Sequence, residues 1–346
     1  MTEKPTGSFA RNVSIYTIGA LIVAALLGAS YAWLGRTGPG HPAGPIEPVT
    51  LATVNSYAGS LVPIAQANGY FADEGLGVTI QPHSAGKFAL DAALGGQANL
   101  ATVADIPIMF AAMNGRPVVI VATISMAEKD QGIIGRKDHG VSAPADLKGK
   151  RIGVTLGTSG HFFLDGFLVR QKLSVSDVKL RNLKPEEFSD AMAKGEVDAV
   201  ATWDPHLSAL QTQLGDKGMI FYGEKIYAQA FNIAGARDYV GSHPETIKKL
   251  LRALVRAERF VTDEPVAARK FVAEATKVDL ARLGELWSGY RFNVALDQSL
   301  LLALEDETRW AIKNKLTDGR DIPNYVDHIY LDGLAAVKPK AVTIIH

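Results

Sequence analysis

The chain has 346 residues, material for two domains of ordinary size, and 47% of them are apolar, ample for packed cores. Its 36 Lys plus Arg balance its 36 Asp plus Glu, so the basic excess of a nucleic-acid binder is missing and no nucleic-acid partner is expected. There is no cysteine, which excludes disulfides, Cys-ligated zinc, thiol nucleophiles, iron–sulfur clusters and lipidation of an N-terminal cysteine.

Between Arg11 and Arg36 no residue is charged, and 13–34 is dominated by Ile, Leu, Val and Ala. As a helix this run would extend roughly 33 Å at about 1.5 Å per residue, enough to cross the hydrocarbon of a bilayer. Lys4 and Arg11 precede it and Tyr31 and Trp33 lie at its far end. That pattern predicts a cytoplasmic tail over 1–12, a single inner-membrane helix over 13–34 and a body outside the cytoplasm, in the periplasm. A cleaved signal peptide ending at Ser30-Tyr31-Ala32 is the alternative; the apolar run exceeds the usual roughly 7 to 15 residues, which favours a retained anchor. Residues 35–48, rich in Gly and Pro, read as a linker.

From Val49 onward, β-branched runs alternate with helical patterns, the mark of an α/β fold. Strands are predicted at 49–54, 78–81, 99–103 and 117–124, with helices at 60–68, 87–94 and 106–113 between them. A second set has strands at 151–155, 178–183, 197–203 and 219–222 and helices at 161–172 and 185–194. Two more extended runs, 132–136 and 230–236, bracket this set as chain crossings between two lobes would. After Gly241 the pattern is helical: Ser242 and Glu245 suggest a capping box, an apolar stripe runs from Ile247 to Val255, and helices follow at 264–275, 280–287 and 298–313.

Catalytic signatures are missing. Gly157-Thr158-Ser159-Gly160 lacks the spacing of a nucleophile elbow, and neither Gly86-Lys87 nor Gly149-Lys150 has the upstream glycine of a phosphate-binding P-loop. The eight histidines never approach a metalloprotease spacing. No catalytic residue, metal or cofactor is expected.

What the sequence offers instead is small or polar loops that follow a strand and open a helix. Asn55-Ser56-Tyr57 follows the first strand, Gly86-Lys87 the second, Ala104-Asp105 the third, and Thr158-Ser159 the first strand of the later set. In open α/β sheets ligands sit at the carboxyl ends of strands, where helix amino termini present free N–H groups suited to an anion. Trp203-Asp204 closes another strand. These two residues suit either an apolar wall with an acceptor for a ligand ammonium or hydroxyl, or a core Trp with an Asp helix cap ahead of Pro205.

The segments 65–74 (AQANGYFADE), 91–105 (DAALGGQANLATVAD), 146–155 (DLKGKRIGVT), 194–206 (KGEVDAVATWDPH) and 297–314 (DQSLLLALEDETRWAIKN) resemble, in order, the solute-binding proteins of ABC importers in the sulfonate, taurine, nitrate and thiamine-pyrimidine-precursor group. The resemblance implies a type II-like periplasmic-binding-protein fold, α/β and two-lobed with a helical C-terminal region. Lobe one would comprise 49–136 and 236–346, lobe two 137–235, with the ligand cleft between them. It also implies a non-catalytic receptor for a small organic anion or zwitterion, partnered by a permease and an ATPase. A membrane-tethered sensor is an alternative; the related pyrimidine-synthase branch carries a cysteine-rich motif that this chain lacks.

Overall fold

The computed structural model describes residues 45–223 and 225–345, and within them the β-branched runs pair into two sheets. The six-stranded sheet holds β1 (Glu47–Val54), β2 (Leu76–His83), β3 (Leu100–Ala104), β4 (Val118–Ala127), β10 (Gln229–Ala236) and β11 (Tyr290–Ala295), in the order β11-β4-β10-β3-β1-β2. The five-stranded sheet holds β5 (Gln131–Arg136), β6 (Arg151–Val154), β7 (Lys179–Asn182), β8 (Ala199–Trp203) and β9 (Gly218–Tyr222), in the order β7-β6-β8-β5-β9. Central strands such as β3 and β8 are buried along their whole length, as strands covered by helices on both faces must be.

The helices around the cleft are α1 (Leu61–Ala67), α2 (Gly86–Leu94), α3 (Asp105–Met113), α4 (Ser159–Arg170) and α5 (His206–Leu214). They are followed by α6 (Pro244–Asp263), α7 (Pro265–Thr276), α8 (Leu280–Trp287) and α9 (Gln298–Lys313). In α6 the stripe Ile247, Leu250, Leu251 and Leu254 is fully buried, each side chain contributing about 1.5 to 3 kcal/mol.

Pairing registers fix which ends of the sheets meet. β1 is parallel to β2 and β3, while β10 runs antiparallel to β3 and β4, with Phe231 opposite Ala104 and Gln229 opposite Ala127. The carboxyl ends of β1 to β4 and the amino end of β10 therefore share one edge. In the other sheet β6 is parallel to β7 and β8, and β5 is antiparallel to β8 and β9, with Gln131 opposite Trp203 and Gly132 opposite Tyr222. The carboxyl ends of β6 to β9 and the amino end of β5 thus share an edge as well. The chain passes between these edges twice, through residues 128–130 and 223–228, so the edges face each other.

Several expectations are corrected. The runs 132–136 and 230–236 are not the crossings: each is an inner strand, β5 of the second sheet and β10 of the first, which moves the boundaries between the halves to 128–130 and 223–228. The linker ends earlier than 48, because Glu47 and Pro48 already pair with Leu76 and Gly77. Tyr290–Ala295, unnoticed among helical patterns, is an edge strand on β4. The Ser242 capping box does not form; the Ser242 hydroxyl donates back to the Asp238 carbonyl at 2.6 Å, and α6 starts with Pro244 after His243. The tail over 1–12 and the helix over 13–34 lie outside the described residues, among which no helix is long and apolar enough to cross a membrane.

Candidate functional site

Where the two sheet edges face each other, the strand-to-helix turns meet in a narrow cleft. Val54, Ser56, Gly86, Lys87, Ala104, Pro107 and Phe231 line it from the first sheet and Thr158, Ser159 and Trp203 from the second, with Asp130 at the first crossing and Gln229 at the start of β10. Its volume is about 20 Å³, room for roughly one water molecule.

Its donors come from two helix amino ends. α2 begins at Gly86 behind Ala85, whose side chain can cap nothing, and a Cβ on Gly86 would lie 3.2 Å from the Cα of Val103, so glycine lets this helix end sit against β3. α4 begins behind Thr158, whose hydroxyl does not cap the helix but donates to the Thr155 carbonyl at 2.7 Å. The first N–H groups of both helices thus have no side-chain cap and no intrahelical acceptor, an arrangement that suits an anion. The Lys87 ammonium, 3.4 Å from the Leu156 carbonyl of the opposite half, adds a charge at the same place. The apolar walls are Trp203, packed edge-on to His206 at 5.4 Å, and Phe231.

Four of the expected site residues lie elsewhere. Asn55 is exposed and lines a separate, largely apolar cavity of about 550 Å³ between α1 and the end of α7. Tyr57 is fully buried against Tyr290 and turned toward Asp204. Asp105 points into the interior: it accepts from the amides of Ile106 and Ala230, at 3.0 and 2.9 Å, and from the Tyr227 hydroxyl. Burial raises its carboxyl to about 6, although these bonds pull it down. Asp204 behaves as a helix cap, accepting from the Ser208 amide at 3.1 Å and hydroxyl at 2.5 Å and from the Tyr222 hydroxyl at 3.4 Å.

Asp130, Gln229 and Phe231 were missed. The signal was present but misassigned: Gln131 and Gln229 open the two extended runs at the sheet edge, and once those runs are strands, the residues at their amino ends must meet at the cleft floor. Asp130 is almost wholly buried, its Oδ1 accepting from the Tyr290 hydroxyl at 2.6 Å and its Oδ2 from Gln131 Nε2 at 2.8 Å. Burial pushes its carboxyl up to about 7, against the Tyr290 hydrogen bond and with the help of the nearby Asp204 charge.

Two bridges join the halves beside the cleft. On one flank Arg282 of α8 donates to the Tyr222 hydroxyl at 2.6 Å and lies 3.4 Å from the Ser208 hydroxyl. On the other, Trp310 Nε1 of α9 and Asn314 Nδ2 just past its end donate to Asp165 of α4 at 2.6 and 3.2 Å. Among the described residues no cluster of His, Asp or Glu is arranged to hold a metal ion.

Two sheets joined by paired crossings, with a cleft where their strand ends face, make this an α/β periplasmic-binding-protein fold. It is shared with the alkanesulfonate-binding protein SsuA of Xanthomonas axonopodis pv. citri, solved with MOPS bound: TM-score 0.72, 22% identity, 83% of this chain and 99% of that one. A family model described as NMT1/THI5 like matches residues 58–268, and the chain belongs to that family. It is 25% identical over 244 residues to a Brucella abortus protein named as a binding protein, covering 68% of this chain and 74% of that protein. It is also 25% identical over 201 residues to the taurine-binding periplasmic protein of Escherichia coli, covering 57% of this chain and 61% of that protein.

Proposed function

We propose that the chain is the solute-binding component of an ABC importer and captures a small organic anion or zwitterion, with sulfonates foremost. The observation that carries this reading is the pair of uncapped helix amino ends, α2 and α4, brought from different sheets to one cleft together with Lys87. An alkanesulfonate-binding protein of the same fold and a taurine-binding relative support the choice of sulfonates. Each half contributes one end of the anion site, so ligand draws the halves together and the crossings at 128–130 and 223–228 act as hinges. A cleft with room for roughly one water must open to admit a solute, which breaks and remakes the Arg282 and Trp310 bridges.

The role is binding without chemistry. Among the described residues the titratable side chains that line the cleft are Lys87 and Asp130, and the sequence has no cysteine. Residues 13–34 anchor the body to the inner membrane, where a permease and an ATPase receive the solute; the uncharged run behind Lys4 and Arg11 supports this. An alkaline carbonate wash leaves such a chain in the membrane fraction, whereas a soluble species starting near Trp33 contradicts the anchor.

Calorimetric titration of the purified full-length chain with ethanesulfonate, propanesulfonate, 2-aminoethanesulfonate and nitrate tests the function. At least one sulfonate should bind, and Lys87→Met should weaken it about 10-fold, the loss of one charge-assisted hydrogen bond. A folded chain that takes up none of them overturns the reading.

A further inference from the structure

Donors and acceptors are segregated along the cleft. The helix ends and Lys87 supply the donors on one side, while the Asp130 carboxyl lies at the floor beside the amides of Gln131 and Gln229. Gln131 Nε2 donates both to Asp130 Oδ2 and to Gln229 Oε1, each at 2.8 Å, which fixes the direction of its amide. Its Oε1 is left buried with no hydrogen-bond partner, on the side where a Cβ on Gly160, in the first turn of α4, would lie 3.7 Å away. A buried acceptor without a donor is unfavourable, and so is a buried carboxyl without a counter-charge.

Resting on the solute-binding function above, we propose that Asp130 and Gln131 form an ammonium site at the hinge, so that the cleft selects a zwitterion whose cationic group lies a short chain away from its anion. The carboxyl would take the ammonium as its counter-ion, and Gln131 Oε1 would accept one of its N–H bonds. The groups facing Asp130 leave this place open to a cation. They are Tyr290 from β11, Tyr57 from the turn after β1, Tyr227 from the second crossing, Asp204 from the end of β8 and, across the cleft, Lys87 of α2, whose ammonium is held at 3.4 Å from the Leu156 carbonyl; Arg282 is engaged with Tyr222 and Glu285. Because burial holds much of the free carboxyl protonated near neutrality, capture is coupled to a proton: Asp130 COOH and the ligand NH₃⁺ become a carboxylate–ammonium pair, and one proton leaves to solvent.

The test is calorimetry on the full-length chain with 2-aminoethanesulfonate and 1-propanesulfonate, which are close in size and differ in the ammonium, at pH 6 and pH 8. Affinity for the aminosulfonate should rise about tenfold between these values while that for propanesulfonate stays flat, as expected for a carboxyl titrating near 7. Titration in two buffers of different ionisation enthalpy should show proton release only with the aminosulfonate. Asp130→Asn should bind both sulfonates alike at both pH values. Equal, pH-independent binding of the two by the native chain overturns the proposal but leaves sulfonate binding standing, as does an aminosulfonate preference that survives in Asp130→Asn. If neither sulfonate binds, the functional reading falls and takes the ammonium site with it. Should Asp130→Asn fail to fold, the pH series and the proton count on the native chain decide alone.

Discussion

Asp130 is buried at the first crossing with its carboxyl raised to about 7, and this has a consequence for stability. Between about pH 4, where an unfolded Asp loses its proton, and pH 7, the folded chain holds a proton that the unfolded chain has lost, so this group lowers stability as pH rises. His161 and His206 oppose it: burial pushes both down to about 4, so their contribution raises stability with pH until about 6.5. Asp130→Asn isolates the acid. Relative to the native chain it should gain about 2 to 3 kcal/mol in denaturant unfolding between pH 5 and pH 8, and a constant difference across that range would contradict the burial argument. Asp204 gives a contrasting case. As a cap on α5 that also accepts from Tyr222, Asp204→Ala should cost about 1 to 3 kcal/mol of stability while leaving propanesulfonate affinity within about twofold. Sequence alone left Asp204 open between cap and ligand, because an Asp before a helix serves either end; the Ser208 and Tyr222 partners, which only the tertiary structure supplies, favour the cap. The small residues Gly86, Ala104, Thr158 and Ser159 were legible because they follow strands and open helices, and such turns must gather at one sheet edge.

Helix caps separate a motif from its use. The spacing of Ser242 and Glu245 suits a capping box, yet Ser242 closes the preceding turn. Asp297 caps α9 by accepting from the Ser299 amide at 2.9 Å. Asp297→Ala should therefore cost about 1 kcal/mol in thermal or denaturant unfolding and Ser242→Ala less than about 0.5 kcal/mol; the reverse order would restore the box. Most elements were readable from period alone, since buried runs such as 100–104 and 199–203 have flanking turns and helices such as 298–313 carry an apolar stripe. β11 was not. Its residues, Tyr-Arg-Phe-Asn-Val-Ala, pair on one side only and alternate buried or half-buried with exposed positions over just four residues, too short a run to stand out between two helical patterns. The crossings were misplaced for a related reason: β5 and β10 are extended runs whose sheet membership the sequence does not carry, and only pairing with β8, β9, β3 and β4 shows that they are inner strands.

The described residues form two sheet-centred halves, joined at the crossings and bridged on both flanks of the cleft. Removing both bridges, with Arg282→Gln and Asn314→Ala together with Trp310→Phe, should favour the open form: small-angle scattering should give a larger radius of gyration without ligand, returning toward the native value when a sulfonate is added. An unchanged curve for the triple variant would mean that the crossings alone set the angle between the halves. An anion gripped between two helix amino ends from different sheets would tie the backbone amides of both helices to one ligand. Hydrogen exchange read by mass spectrometry on the full-length chain, with and without saturating 2-aminoethanesulfonate, addresses it directly. Protection should appear together over 86–89 at the start of α2 and over 159–162 at the start of α4. Protection confined to one of these, or found instead around 63–67 and 275–277 beside the larger apolar cavity, would contradict the account.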